Sequence, residues 1–177
     1  NRLLSHANRR RLDAECIRDA RLVAGNNLDI GGYGGPGFGK AESDYSFTTE
    51  ARVRSLYLPV LRNVADPCLE VFDRADPSRV VGARDTSTVA PQALFLLNNP
   101  MVASQARLAA GRVLANPALA DDAARRDHLW RIVLGRPPSA AETSQAIARW
   151  PAKLETEAAW ATLAHALFAS PDFRTLD

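Results

Sequence analysis

Apolar residues recur at helical spacing along most of this chain, and the pattern predicts a mainly α protein. Residues 8–24 read as a first helix, capped by Asn8 and stopped by Gly25 and Asn26. Leu12, Cys16, Ala20 and Val23 make its apolar stripe, with Arg11–Glu15 and Glu15–Arg18 as ion pairs one turn apart. From residue 85 the signal sharpens. Thr88 to Ala90 lead into Pro91, a helix start, and the run QALFLL (92–97) is expected in the core. Asn98-Asn99-Pro100 interrupts it. A second helix over 100–114 turns Val102, Ala106, Ala109, Ala110 and Val113 inward. Asp121 and Asp122 open a third, placed favourably against its dipole, with Leu129, Ile132 and Val133 buried. Gly135 to Pro138 stop it. Ser139-Ala140-Ala141-Glu142 is a capping box that starts a helix to about Trp150. A last helix, from about Glu155 to Ala169, buries Trp160, Leu163, Ala164 and Leu167, and Ser170-Pro171 ends it. Five or six helices with short connections imply a helical bundle.

The earlier third is less regular. Residues 25–50 carry six glycines between 31 and 39 around Pro36, the composition of a long, mobile loop. Residues 51–64 hold the best strand candidate, with Val53, Ser55, Tyr57 and Pro59 alternating with Arg54, Leu56 and Leu58. Apolar groups on both faces predict burial, and Pro59 restricts it to an edge or extended segment. Asp66-Pro67 starts a short helix to about Phe72, and Asp76-Pro77 marks a turn. The expected architecture is one domain over 1–177: a helical bundle with an irregular Gly-rich loop at 25–50 and at most a small β element.

Composition adds bounds. A length of 177 residues, 46% hydrophobic and 24% charged, suits a globular core that needs no staples. No stretch approaches the roughly 18 apolar residues of a membrane span. The chain opens at Asn1 without an initiator Met, as a fragment or processed product would. Twenty of the 22 basic residues are Arg, yet net charge is only +2, so pairing within the chain is favoured over a nucleic-acid surface. Cys16 and Cys68 are too few for a metal site, and no haem-attachment motif occurs. They are either a disulfide in an oxidising compartment or free thiols.

Several motifs fail on context. Gly34, Gly39 and Lys40 fit a phosphate-loop spacing, but Ala41 stands where a hydroxyl should hold Mg²⁺, and no strand or apolar helix flanks them. Gly32, Gly34 and Gly37 give a nominal dinucleotide fingerprint with the same defect. His6, His128 and His165 are far apart, and none forms a metal-binding pair. The basic run 8–11 is followed at once by Asp13, Glu15 and Asp19, a mixed-charge face. Arg62-Asn63 and the segment 84–88 are polar clusters beside apolar segments. They either satisfy backbone groups or line a polar cleft. Ser87 has no local base, and no nucleophile elbow occurs.

Six blocks carry a family resemblance: NRRRLDAECIRDA (8–20), VRSLYLPVLRN (53–63), PCLEVFDRADPS (67–78), RDTSTVAPQALFLLNNPMV (84–102), LWRIVLGRPPSAAE (129–142) and WATLAHALFASPDF (160–173). In this order and spacing they resemble the planctomycete domain of unknown function 1553, in its later portion, across essentially all 177 residues. The resemblance implies the last domain of a large exported protein, hence a periplasmic or extracellular setting. It also implies an upstream cytochrome-c-like domain that would carry the only haem, with no cofactor or metal in this chain. The matching polar positions, taken as the candidate cluster, are Arg11, Asp13, Glu15, Arg18, Asp19, Arg62, Asn63, Arg84, Thr88 and Gln92. Cys16 and Cys68 stand where the family has small or apolar residues.

Two functions follow as expectations. One is a non-catalytic accessory or interaction domain, with upstream domains of the same polypeptide, polysaccharide or other exported proteins as partners. The other is part of an active site for complex carbohydrate, completed by upstream residues. In that case Arg11, Glu15, Asp19, Arg62 and Arg84 should converge in one cleft. Nucleic acid and a membrane span are not expected.

Overall fold

The computed structural model describes residues 8–31, 51–60, 62, 66–149 and 156–176. Most of the Gly-rich loop, including its phosphate-loop spacing, lies outside them, as do His6 and Asn63. The described chain is mainly helical, as expected, with seven α-helices and one two-stranded sheet. It packs as two compact units, each described by itself below.

The first unit comprises Asn1–Asp19, Leu28–Phe95 and Arg174–Asp177. Strand β1 (Arg10–Arg11) pairs antiparallel with β2 (Thr175–Leu176), so residues far apart in sequence close the unit. The small β element expected is thus a pairing that joins residue 10 to residue 176, outside the 51–64 candidate. Leu12 N–H continues the pairing to the Arg174 carbonyl at 2.8 Å. Helix α1 (Ala14–Ala24) therefore starts six residues later than the pattern of residues 8–24 predicts, and Asn8 is not its cap. Its buried positions are also a different set. Ala14, Ile17 and Arg18 are buried, whereas Cys16 is exposed and Leu12 only half-buried. The stripe reading assumed that arginine stays outside, and Arg18 overturns it by finding buried partners.

Residues 51–60 are not a strand. Val53 makes one isolated parallel bridge to Asp29, and Ser55–Tyr57 then form a 3-10 turn. Leu56 and Val60 are exposed, while Ser55 and Leu58 are buried. Ser55 N–H bonds to a side chain rather than to a neighbouring strand, which removes the reason for extension. Helix α2 (Pro67–Val71) follows, with Pro at its first turn. Phe72 and Phe95 meet edge to face, 6.0 Å between centroids.

The second unit comprises Ala20–Asn27 and Leu96–Phe173. Helices α4 (Pro100–Leu114) and α7 (Glu157–Ala169) form its principal pair, and α5 (Asp122–Leu134) packs on both. Ala106, Ala109 and Ala110 on α4, with Ala161 and Ala164 on α7, are buried small residues suited to close approach. Trp160, Leu163 and Phe168 fill the core, and Phe173 closes on Phe168 at 5.0 Å. Trp130, rather than the expected Ile132, joins Leu129 and Val133 as the buried side of α5. Helix α6 (Ala140–Arg149) buries only Ala146.

Asp121 opens α5 and Ser139 opens α6 as expected, and Asn99 and Thr156 are further caps that were not among the expectations. Asn99, Asp121 and Thr156 each accept a first-turn N–H. Ser139 and Glu142 exchange the two bonds of the capping box at 2.7 and 3.2 Å. Gly135 takes the left-handed conformation (φ 72°) after α5. At the end of α1 that role falls to Asn26 (φ 52°), whose N–H reaches the Val23 carbonyl while Asn27 reaches Leu22. Gly25 serves differently: a Cβ there would lie 2.3 Å from Gln105 Oε1.

Helix α3 (Ala90–Asn98) contains the run QALFLL, but only Gln92 and Leu96 are buried; Leu94 and Leu97 are half exposed. A continuous apolar run cannot lie on one face of a helix, so a one-sided environment leaves part of it out.

Candidate functional site

Six of the candidate residues fall in three separate arrangements, all in the first unit. The first centres on Asp73. Helix α2 ends with Asp73 in the left-handed region (φ 63°), and the Asp73 and Arg74 N–H groups return to the Glu70 and Leu69 carbonyls. That turn aims the carboxylate at the segment after it. Ser87 donates to it through N–H (2.9 Å) and Oγ (2.8 Å), Gln92 through Nε2 (3.3 Å) and Arg11 through Nη1 (2.7 Å). Arg11 also donates to the Ser87 and Phe72 carbonyls. The 15-residue segment 73–87 is thereby closed at its neck, the form of an Ω-loop. Burial alone would push the Asp73 carboxyl up. The bonds from Ser87 and Arg11 outweigh that and leave it below its usual value.

The second arrangement surrounds Arg18, which is 1% exposed. Its guanidinium donates to the Ala51 and Val53 carbonyls and to Ser55 Oγ (3.3 Å), with Nε 3.6 Å from buried Asp66. Asp66 in turn caps α2, accepting from Cys68 and Leu69 N–H. Asp19 accepts the Ser55 N–H at 2.9 Å and hydroxyl at 2.7 Å. These acceptors and the nearby carboxylates offset the cost of burying the cation.

The third is the pair Arg84 Nη1–Glu15 Oε2, 2.6 Å apart and partly exposed. Partial burial raises the Glu15 carboxyl. The Arg84 hydrogen bond and the charges of Arg84 and Arg74 overcome it, and the net displacement is downward. The local pairs expected along α1 give way to these long-range ones. Arg11 is in a strand rather than a helix, and Glu15 and Arg18 each meet partners from other segments.

The remaining candidates stand apart. Thr88 and Arg62 are exposed. Arg62 lines a hollow of about 340 Å³ with Glu70, Arg74 and Asp76. A different cavity, about 270 Å³, takes in Arg11, Asp13 and Arg84, with Phe72 and Asp73. The single cleft expected for Arg11, Glu15, Asp19, Arg62 and Arg84 is not formed: Asp19 is held by Ser55, and Arg62 faces the other hollow. Asp73, Asp66 and Ser55 are the partners that sequence reasoning missed as site residues. Each is the acid or hydroxyl that satisfies an arginine or a neighbouring acid tens of residues away, a relation with no local sequence signal.

The second unit has its own polar knot. Arg136 grips Glu142 with two bonds of 2.8 Å and reaches Asp172 at 2.5 Å. Those bonds from Arg136 hold the Glu142 carboxyl well below the usual carboxylate range, against the upward push of partial burial. His165 bonds the Leu96 carbonyl at 2.8 Å, the satisfied histidine of a helical core. Cys16 and Cys68 form no disulfide with each other. Burial, then the charges of Asp13, Asp19 and Glu15, raise the Cys16 thiol, which disfavours the reactive thiolate. Among the described residues no cluster could hold a metal ion, and no helix is long and apolar enough to cross a membrane.

Fold and site together define a mainly helical protein whose arginines lock loops onto helices. The family model described as "Protein of unknown function (DUF1553)" matches residues 1–150, and the chain belongs to that family. No curated protein and no solved structure matches it.

Proposed function

We propose that this chain is a non-catalytic accessory domain that docks onto other domains through the loop 73–87. The observation that carries the reading is the clamp at the neck of that loop together with what the loop displays. Arg11, Asp73, Ser87 and Gln92 hold its ends, while Val80 is fully exposed and Val81 is 42% exposed. A part-buried polar clamp under two solvated valines is costly for the chain alone and useful for presenting a contact.

The partners we infer are upstream domains of the same polypeptide, including a cytochrome-c-like domain that would hold the haem, in an exported, planctomycete-type protein. Other exported proteins or polysaccharide are further partners of the same reading. A nucleic-acid partner is disfavoured, because Arg11, Arg18, Arg84 and Arg136 are engaged with carboxylates and carbonyls rather than arrayed on one face.

The alternative, a share in an active site for complex carbohydrate, calls for a carboxyl held protonated as general acid. Glu15, Asp73 and Glu142 are all displaced the other way. Hydrogen exchange decides the matter when this chain is compared with the same chain joined to its upstream sequence. Amides 79–82 should exchange more slowly in the longer protein, and Val80→Asp with Val81→Asp should abolish the difference without changing thermal stability. Equal exchange in both forms, or turnover of a polysaccharide by the purified chain, would refute the proposal.

A further inference from the structure

The cavity of about 270 Å³ in the first unit has a chemistry the docking loop does not explain. Phe72 and Ala14 reach it from the core, and its polar lining comes from Asp73 and from two segments, 10–13 and 84–86. Three guanidiniums (Arg10, Arg11, Arg84) face three carboxylates (Asp13, Asp73, Asp85). The formal charges cancel, so the site selects neither an anion nor a cation.

The hydrogen-bonding capacity is unevenly committed. Arg11 and Asp73 spend theirs on each other and on Ser87. Arg10 and Asp13 do not: their closest approach is 3.9 Å, too long for a hydrogen bond, and their side chains are 76% and 52% exposed. Among the described residues no hydrogen bond engages the Asp85 carboxylate or the Thr86 hydroxyl, both exposed. Arg84 gives one N–H to Glu15 and has others to offer. The cavity thus offers fork donors beside carboxylate acceptors, and the 3.9 Å between Arg10 and Asp13 leaves room for one oxygen to bridge that pair.

A hydroxyl group meets that demand, since it donates one bond and accepts two. Several hydroxyls on one small ring meet it repeatedly. The volume lies just under the range of drug-sized sites, enough for a single ring and too little for two. The lining is more polar than apolar and six of its nine residues carry a charge, which disfavours lipid or aromatic ligands.

We propose that this cavity binds a neutral polyhydroxylated ring of the monosaccharide class. Arg10, Asp13, Arg84, Asp85 and Thr86 supply the hydrogen bonds, and no covalent bond is made or broken. Because each bond replaces one to water, the dissociation constant is on the order of 1 mM. The inference rests on the non-catalytic reading but not on the docking loop.

The test is an amide NMR titration of the whole ¹⁵N-labelled chain with glucose and galactose, and separately with inorganic phosphate and glycine. At least one sugar should move amides within 10–14 and 84–86, with phosphate and glycine leaving them in place. Arg10→Ala and Asp85→Ala, at exposed positions, should each weaken the response about tenfold while the rest of the spectrum is retained. Silence of those amides toward both sugars, a stronger response to phosphate or glycine, or unchanged titration in both variants would overturn the proposal and leave the docking loop standing. A methyl glycoside added to the same sample should remain intact; its hydrolysis would sink the non-catalytic reading on which the proposal rests.

Discussion

Arginine behaves in two ways in this protein, and exposure separates them. Arg18 is enclosed, and its removal strands buried Asp66 and the Ala51 and Val53 carbonyls. Arg18→Ala should therefore cost about 3–5 kcal/mol in urea unfolding. Arg84, paired with Glu15 at the surface, should cost under about 1 kcal/mol on the same replacement. Similar losses for the two variants would mean that burial is not what makes the Arg18 network matter. Gly25 offers a second residue-scale test. Its α1 neighbour Asn26 already supplies the left-handed turn, so Gly25→Ala acts through the close approach of Gln105 alone. The expected cost is about 1–2 kcal/mol, and Gln105→Ala in that background should recover part of it, with a coupling energy that a double-mutant cycle measures.

At the scale of elements, ends matter more than middles. Helices α4, α5 and α7 begin at the side-chain caps Asn99, Asp121 and Thr156, and the start of α6 is fixed by Ser139 and Glu142. Glu142 does more than cap, because Arg136 ties it to Asp172 beyond α7. Its carboxyl titrates below its unfolded value, so it contributes stability that is fully present above about pH 4.5 and is lost as pH falls through the folded value. Glu142→Gln should lower stability by roughly 1–2 kcal/mol at neutral pH, allowing for screening by solvent. Thermal melts from pH 7 to pH 3 should show the difference from the parent protein shrinking below about pH 4.5. A difference that stayed constant with pH would place the effect in packing rather than charge.

For the molecule as a whole, the pairing of β1 with β2 gives the first unit a contribution from the far end of the chain. Ending the chain after Phe173 removes β2 and the Arg174 carbonyl that receives Leu12 N–H. Hydrogen exchange should then accelerate at residues 10–12 and across α2, while the α4 and α7 amides of the second unit keep their protection. Loss of protection throughout α4 and α7 would show that the two units unfold together.

Periodicity and end chemistry determined the helical class, the bounds of α4 and α5 and the capping box, because those features depend on residues within one or two turns of each other. The order of six blocks was enough to reach the family. Tertiary structure alone decided which face of α1 is buried, that 51–60 forgoes a strand and that the two ends of the chain pair. It also decided that Arg11 answers to Asp73 and Arg18 to Asp66. Each of those outcomes turns on a polar group finding its partner from 33 to 166 residues away. No local pattern encodes such a meeting; only the folded backbone brings the two groups within reach.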